Sequence, residues 1–232
     1  MRAFPPQTKE LNTANHLTAH RVSTKTPPDL IESSLKHTRT LFPHEPTAAE
    51  GLSRAYQSLI CGHGRLEDCE LLEYFIYTAG PISAPSVVGA AGLYHIIESS
   101  SEMATLLDLL RLNPPPGVSF LRNHQQSIHE FIWGGRLSIE SSGAHSRHIM
   151  PHIINHILSA AIEIVRDKQW VPVLLAFTLR DNNRRVQAFY RNLGFERTAA
   201  TLEFANETQD VWALSLKRDS PALERIRSII KR

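Results

Sequence analysis

The stretch GAHSRHIMPHIINH, residues 143 to 156, carries His145, His148, His152 and His156. The last three are spaced by four, so a helix would carry them on one face. Imidazoles in such a pattern offer two chemistries. When neutral they ligate a transition metal, and when protonated, below about pH 6.5, they stand opposite a phosphate. A metal site needs three or four ligands and further groups that orient them. Beyond Pro151, the residues Ile153, Ile154, Ile157, Leu158, Ala161, Ile164 and Val165 recur as an apolar stripe, and His152, Asn155, His156, Ser159 and Glu163 fall opposite. The pattern predicts a solvated polar face for His152 and His156, and no metal. Cys61 and Cys69, with His63 between them, match no zinc spacing and read as free thiols in a cytoplasmic protein.

The elements that must position these residues follow from punctuation and periodicity. The chain has 232 residues, 42% of them hydrophobic, with a formal net charge of +2. That suits one domain with its own core and favours neither nucleic acid nor an anionic membrane as partner. No apolar run is long enough to span a bilayer, and MRAFPPQTKE lacks a secretory core. Residues 1 to 28 are polar and rich in Pro, Thr and His, and are expected to be poorly ordered. Two helices follow, one capped by Asp29 and one opened by the capping-box pair Thr47 and Glu50. LLEYFIYTAG and VVGAAGLYHII read as a hairpin. A helical insertion is expected at about 100 to 125, ended by NPPPG. Next come a strand over SIHEFIWGGRLSIE, a helix from Pro151, a buried strand over VPVLLAFTL, and a helix ending at Gly194. Two closing strands and a basic amphipathic tail, 219 to 232, complete the chain. The order mixes antiparallel hairpins with one β-α-β crossover and predicts an α/β fold.

NNRRVQAFYRNLGFERT, residues 182 to 198, follows the buried strand. With Asn183, Val186, Phe189, Tyr190, Leu193, Gly194 and Phe195 in that spacing, it resembles the GNAT superfamily of acetyl-CoA-dependent N-acetyltransferases. The resemblance covers residues 29 to 218 and implies a mixed, mostly antiparallel twisted sheet with a splayed central strand pair, flanked by helices. It also implies an acyl-CoA lying where the fourth and fifth strands part. Strand backbone at Leu137 and Ile139 would hold the pantetheine arm, and the turn into the next helix would hold the pyrophosphate. A helix N-terminus suits that task, because its first N–H groups are unpaired and its dipole favours an anion.

Aligned on Ile149, the family's pyrophosphate pattern places His145 at its Gln/Arg position and His148 and Met150 at its glycine positions, one extra residue being accommodated near Gly143. The implied cofactor contacts are thus His145, Ser146, Arg147, His148, Ile149 and Met150, together with Asn183. Tyr190 is the implied acid for the leaving thiolate, since a phenol keeps its proton at neutral pH. Trp133, Gly134, Gly135 and Arg136 include no base. Glu130 is the base expected from the fourth strand, with His129, His95 and Glu140 as other positions and removal of the proton through water chains, with no single side chain as base, as the alternative. The implied activity is acyl transfer, acetyl first, from acyl-CoA to a primary amine of a small molecule or protein by direct attack, without a metal. Two alternatives remain: a transferase of this fold fed by an acyl carrier protein, and a non-catalytic module that binds a ligand or partner. Closing strands in this family often pair into a homodimer.

Overall fold

A computed structural model describes residues 8–11, 17–43, 46–63, 65–66, 69–81, 85–96, 108, 131–134, 138–139, 144–164, 173–179, 184–204, 207–215 and 221–230. The chain forms two compact units interleaved in sequence, Met1–Tyr94 with Gly135–Ile153, and His95–Gly134 with Ile154–Arg232.

The first unit opens with two strands where disorder was expected: β1 (Thr8–Leu11) and β2 (Leu17–Arg21). They pair antiparallel, Thr8 opposite His20 and Leu11 opposite Leu17, and β2 pairs antiparallel with β4 (Cys69–Ala79). Composition hid these strands, but alternation explains them. In LTAHR every second residue turns inward, and Leu17 and Ala19 are buried. The order runs β1-β2-β4-β5, with β5 spanning Ser86–Ile96. A short β3 (Arg65–Leu66) lies against β4, and β7 (Ser138–Ile139) lies against β5. Strand β4 is buried on both faces, from Tyr74 to Ala79.

Helices α1 (Pro28–Leu41) and α2 (Pro46–Ile60) pack together. Pro27, not Asp29, is the cap of α1. Pro28 takes the first helical position, where its missing N–H costs nothing, and Asp29 falls in the first turn beside the positive end of the dipole. Thr47 likewise lies inside α2, which starts at Pro46. The inward residues of α1 are Ser34 and Thr38, while Leu30, Ile31, Leu35 and Leu41 are only half-buried. A small inward residue lets α2 approach, and the Ser34 hydroxyl lies 2.6 Å from the Tyr56 hydroxyl. Helix α2 ends on Gly62 at φ 75°. There the His63 N–H bonds the Ser58 carbonyl and the Gly62 N–H bonds the Leu59 carbonyl.

Three rings join α2 to the sheet. Tyr56 meets Tyr74 edge-on with centroids 5.2 Å apart. Tyr74 in turn meets Tyr94 edge-on at 6.1 Å. Such T-shaped contacts set the positive edge of one ring on the negative face of the next. Burial drives the Tyr56 phenol well above its usual pKa; the neighbouring Tyr74 adds to this and the Ser34 bond opposes it. Gly92 leaves the space these rings use.

In the second unit β6 (Phe131–Gly134) runs parallel to β8 (Val173–Leu179), Phe131 opposite Val173 and Trp133 opposite Leu175. Of the expected fourth strand two stretches are described, β6 on β8 and β7 on β5. Strand β8 pairs antiparallel with β10 (Glu207–Ser215), and β10 with β9 (Glu196–Phe204). The order is β6-β8-β10-β9. The register of β10 on β9 shifts between Asp210 and Trp212. There Thr198 Oγ1 donates to the Val211 carbonyl at 3.0 Å and accepts from the Ala200 N–H at 3.1 Å. Backbone groups at the irregularity are paired in this way. Asp210, buried beside it, is bonded by Arg197 Nη2 at 2.7 Å.

Between β7 and β8 runs α3 (Ala144–Ile164), and α4 (Arg184–Leu193) and α5 (Pro221–Ile230) pack on each other. The basic tail expected from sequence is therefore a docked helix, with Ile226 fully buried. Among the described residues no helix is long and apolar enough to cross a membrane. The helical insertion expected at about 100 to 125 lies outside the described residues, apart from Asp108.

A Cβ at residue 92 would collide with the Tyr74 ring and stand 3.0 Å from Tyr94 Cε2. Gly92→Ala is therefore expected to destabilise the protein by about 1–3 kcal/mol, as overpacking does. Urea denaturation followed by tyrosine fluorescence checks this, with an unchanged midpoint as the contrary result.

Candidate active site

Tyr190 sits in the last turn of α4, and the way that helix ends fixes it. Gly194 has φ 93°. That conformation is open to glycine and costly for other residues. The Phe195 N–H bonds the Tyr190 carbonyl at 2.9 Å, and the Gly194 N–H bonds the Arg191 carbonyl at 3.0 Å. This is a Schellman closure, whose usual companion is an apolar contact between the two residues joined by the longer bond. Here that contact is ring on ring, Tyr190 to Phe195, with centroids 5.0 Å apart. The sequence LGF thus does more than stop a helix: it holds both the carbonyl and the ring of Tyr190.

Two further rings complete the surround. Trp212 of β10, fully buried, lies 6.0 Å from Tyr190, and Phe189 lies 6.1 Å away. Arg191 places its guanidinium carbon 5.5 Å from the centroid of the Trp212 ring. A cation over that face is attracted by the ring quadrupole. Burial pushes the Tyr190 phenol up to about 12, although part of the residue's surface stays accessible. Arg225 of α5 donates to the Asn192 carbonyl at 3.2 Å. It thereby meets one of the carbonyls that a helix end leaves without an internal donor, at the negative end of the α4 dipole.

Helix α3 begins at Ala144, two turns before Pro151. Proline favours a first turn, which points to a start at Pro151, but Pro151 stands inside the helix. All four histidines therefore belong to one helix. His148, Ile149 and Met150 fall in its second turn, where N–H groups bond back to carbonyls of the same helix. The two glycine positions of the pattern, His148 and Met150, thus lie within the helix and not in a turn before it, and Ile149 between them is a core residue, 4% exposed. The unpaired N–H groups belong to the first turn, at Ala144, His145 and Ser146. The solvated face is corrected as well. His156 is buried, Asn155 Oδ1 is enclosed, Ser159 is half-buried, and Glu163 alone of that set is exposed. Burial lowers the pKa of His152. No group of three or more His, Cys, Asp or Glu able to hold a metal occurs among the described residues.

Ile139 lies in β7 opposite Gly89. Glu130, Leu137, Asn183, His129 and Glu140 lie outside the described residues, and of His95 only the strand backbone is described. Sequence reasoning missed Trp212 and Arg225. The first needed the strand register that brings β10 beneath α4, and the second needed the docking of α5. Neither leaves a local signal.

No protein-family model matches the chain, and no curated sequence does. Solved structures do match its shape. One is a GCN5-related N-acetyltransferase from Brucella melitensis, 8% identical, TM-score 0.52, with 96% of this chain and 86% of that one covered. Another is FeeM, an N-acyl amino acid synthase from uncultured soil microbes, 12% identical, TM-score 0.51, covering 88% and 93%. A third is NAA60 from Arabidopsis thaliana in complex with a bisubstrate analogue, 12% identical, TM-score 0.51, covering 87% and 99%. The chain has the GNAT fold, a mixed α/β sheet flanked by helices.

A phenol whose folded pKa is raised contributes stability that is complete below its unfolded value near 10 and is lost as pH climbs through about 12. Tyr190→Phe should therefore flatten the fall in unfolding free energy between about pH 9 and 11, measured by urea titration. An identical slope in both proteins would contradict the burial of this hydroxyl.

Proposed function

We propose that this protein is an acyl-CoA-dependent N-acyltransferase that moves an acetyl group to a primary amine by direct attack. The observation that carries the reading is Tyr190, held by the Gly194 closure on a helix that follows the buried strand β8, in a chain with the GNAT fold. The amine nitrogen attacks the thioester carbonyl carbon, the carbon–sulfur bond breaks, and the thiolate takes the Tyr190 proton. A phenol pushed up to about 12 keeps its proton at neutral pH and so can hydrogen-bond a departing thiolate, although burial makes it a weaker acid than a free phenol. Glu130 is the proposed acceptor of the amine proton. Backbone at Leu137 and Ile139 would hold the pantetheine arm and the carbonyl oxygen, and Asn183 would contact the same arm.

The pyrophosphate is assigned to the N-terminus of α3. The first-turn N–H groups of Ala144, His145 and Ser146 point the dipole at the anion, and Arg147 adds charge. His148 and Met150 can add only side chains. The acceptor class, a small-molecule or protein amine, is supported by neighbours named for amino-acid N-acylation and for N-acetyl transfer.

Thermal shift with acetyl-CoA, CoA and pantetheine tests the donor. A rise of several degrees with CoA and none with pantetheine is expected. Equal responses to CoA and pantetheine would favour a carrier-bound donor, and no response to any would sink the reading. Across an amine panel read by thiol release, Tyr190→Phe should lower turnover by about 10²–10⁴-fold while leaving the CoA shift in place. Unchanged turnover removes Tyr190 from the chemistry.

A further inference from the structure

Within the first unit, α1 and strands β2, β4 and β5 line an open cleft of about 420 Å³. Its walls carry Lys36 and His37 from α1, His20 from β2, Thr78 from β4, Ser33 from α1 and Ser86 from the start of β5. No carboxylate is among the described lining residues. Glu73, an acid of the adjoining strand, is bonded to Arg21 at 3.0 Å. Strand alternation turns Arg21 away from the face that His20 occupies. On β1 the residue opposite His20 is Thr8, and Glu10 stands opposite Thr18.

The cleft is therefore an open concavity in which Leu30, Pro85 and Val87 sit beside one ammonium, two imidazoles and several hydroxyls. His20 is half-buried and its Nε2 lies 2.8 Å from the hydroxyl of Thr78, which is 4% exposed. One wall is thereby held in place by a buried partner, while Lys36 reaches in from the exposed side of α1. Ammonium, imidazole N–H and hydroxyl all donate, and bonds of this kind to an ionised acceptor are the stronger ones. The volume falls in the range of small-molecule pockets. We propose that this cleft binds a small oxyanion, a phosphoryl or carboxylate group on a metabolite-sized molecule. The proposal is independent of acyl transfer, because none of its residues belongs to that assignment.

Isothermal titration of the full chain at fixed ionic strength tests it, with inorganic phosphate in one arm and succinate in the other. Saturable binding with a Kd at or below about 1 mM in at least one arm is expected. The arm that responds tells phosphoryl from carboxylate. Lys36→Gln should weaken binding at least 10-fold, while Lys25→Gln, at an exposed loop position outside the cleft, should not. Lys36 is exposed, so circular dichroism should show an unchanged fold. In histidine-selective NMR the His20 signals should move with occupancy. Absence of saturable binding up to about 10 mM in both arms, or equal affinity in Lys36→Gln, would overturn the proposal.

Discussion

A single left-handed residue organises the surroundings of the candidate site. Gly194 lets the chain turn back immediately after α4, and that turn brings Phe195 onto the ring of Tyr190. From there the chain enters β9, which pairs with β10, and β10 brings Trp212 to 6.0 Å from the same ring. Helix α5 closes the end of α4 from outside, through Arg225 and the buried Ile226. Remove the turn and the phenol loses its backbone anchor and its stacking partner together.

The first unit obeys a different constraint. Helix α2 meets the sheet through an aromatic edge, Tyr56 on Tyr74, beside the buried Leu52 and Ala55. Small residues, Ser34 and Gly92, sit where the rings need room. Burying phenols is costly unless their hydroxyls find partners, and the Ser34 bond to Tyr56 is one such compensation. Glu73 shows the same tension: burial raises its pKa and Arg21 opposes the rise without cancelling it.

Periodicity and punctuation expose much of this fold. The stop at Gly194, the β-α-β crossover and the hairpin strands are properties of adjacent residues, and local chemistry decides them. What escapes is non-local. Strand β2 is short and polar at alternate positions, so composition alone makes it look unstructured. Proline suits a first turn so well that the local pattern places the start of α3 at Pro151, yet packing tolerates that residue inside the helix. His156 looks solvated in the sequence because helical geometry says which residues share a face but not how many faces the rest of the chain will cover. Within the candidate site, Tyr190 is legible from its motif, while Trp212 and Arg225 require tertiary placement.

Pro151 carries a consequence of its own. Lacking an N–H, it breaks the ladder of α3 at one rung and leaves the Arg147 carbonyl without its intrahelical donor. The neighbouring rungs still cross this point, from the N–H groups of residues 152–154 to the carbonyls of 148–150, so the two segments stay joined with one bond fewer. The first two turns of α3 thus hang on one rung fewer than the rest, and Ile149 is their hold on the core.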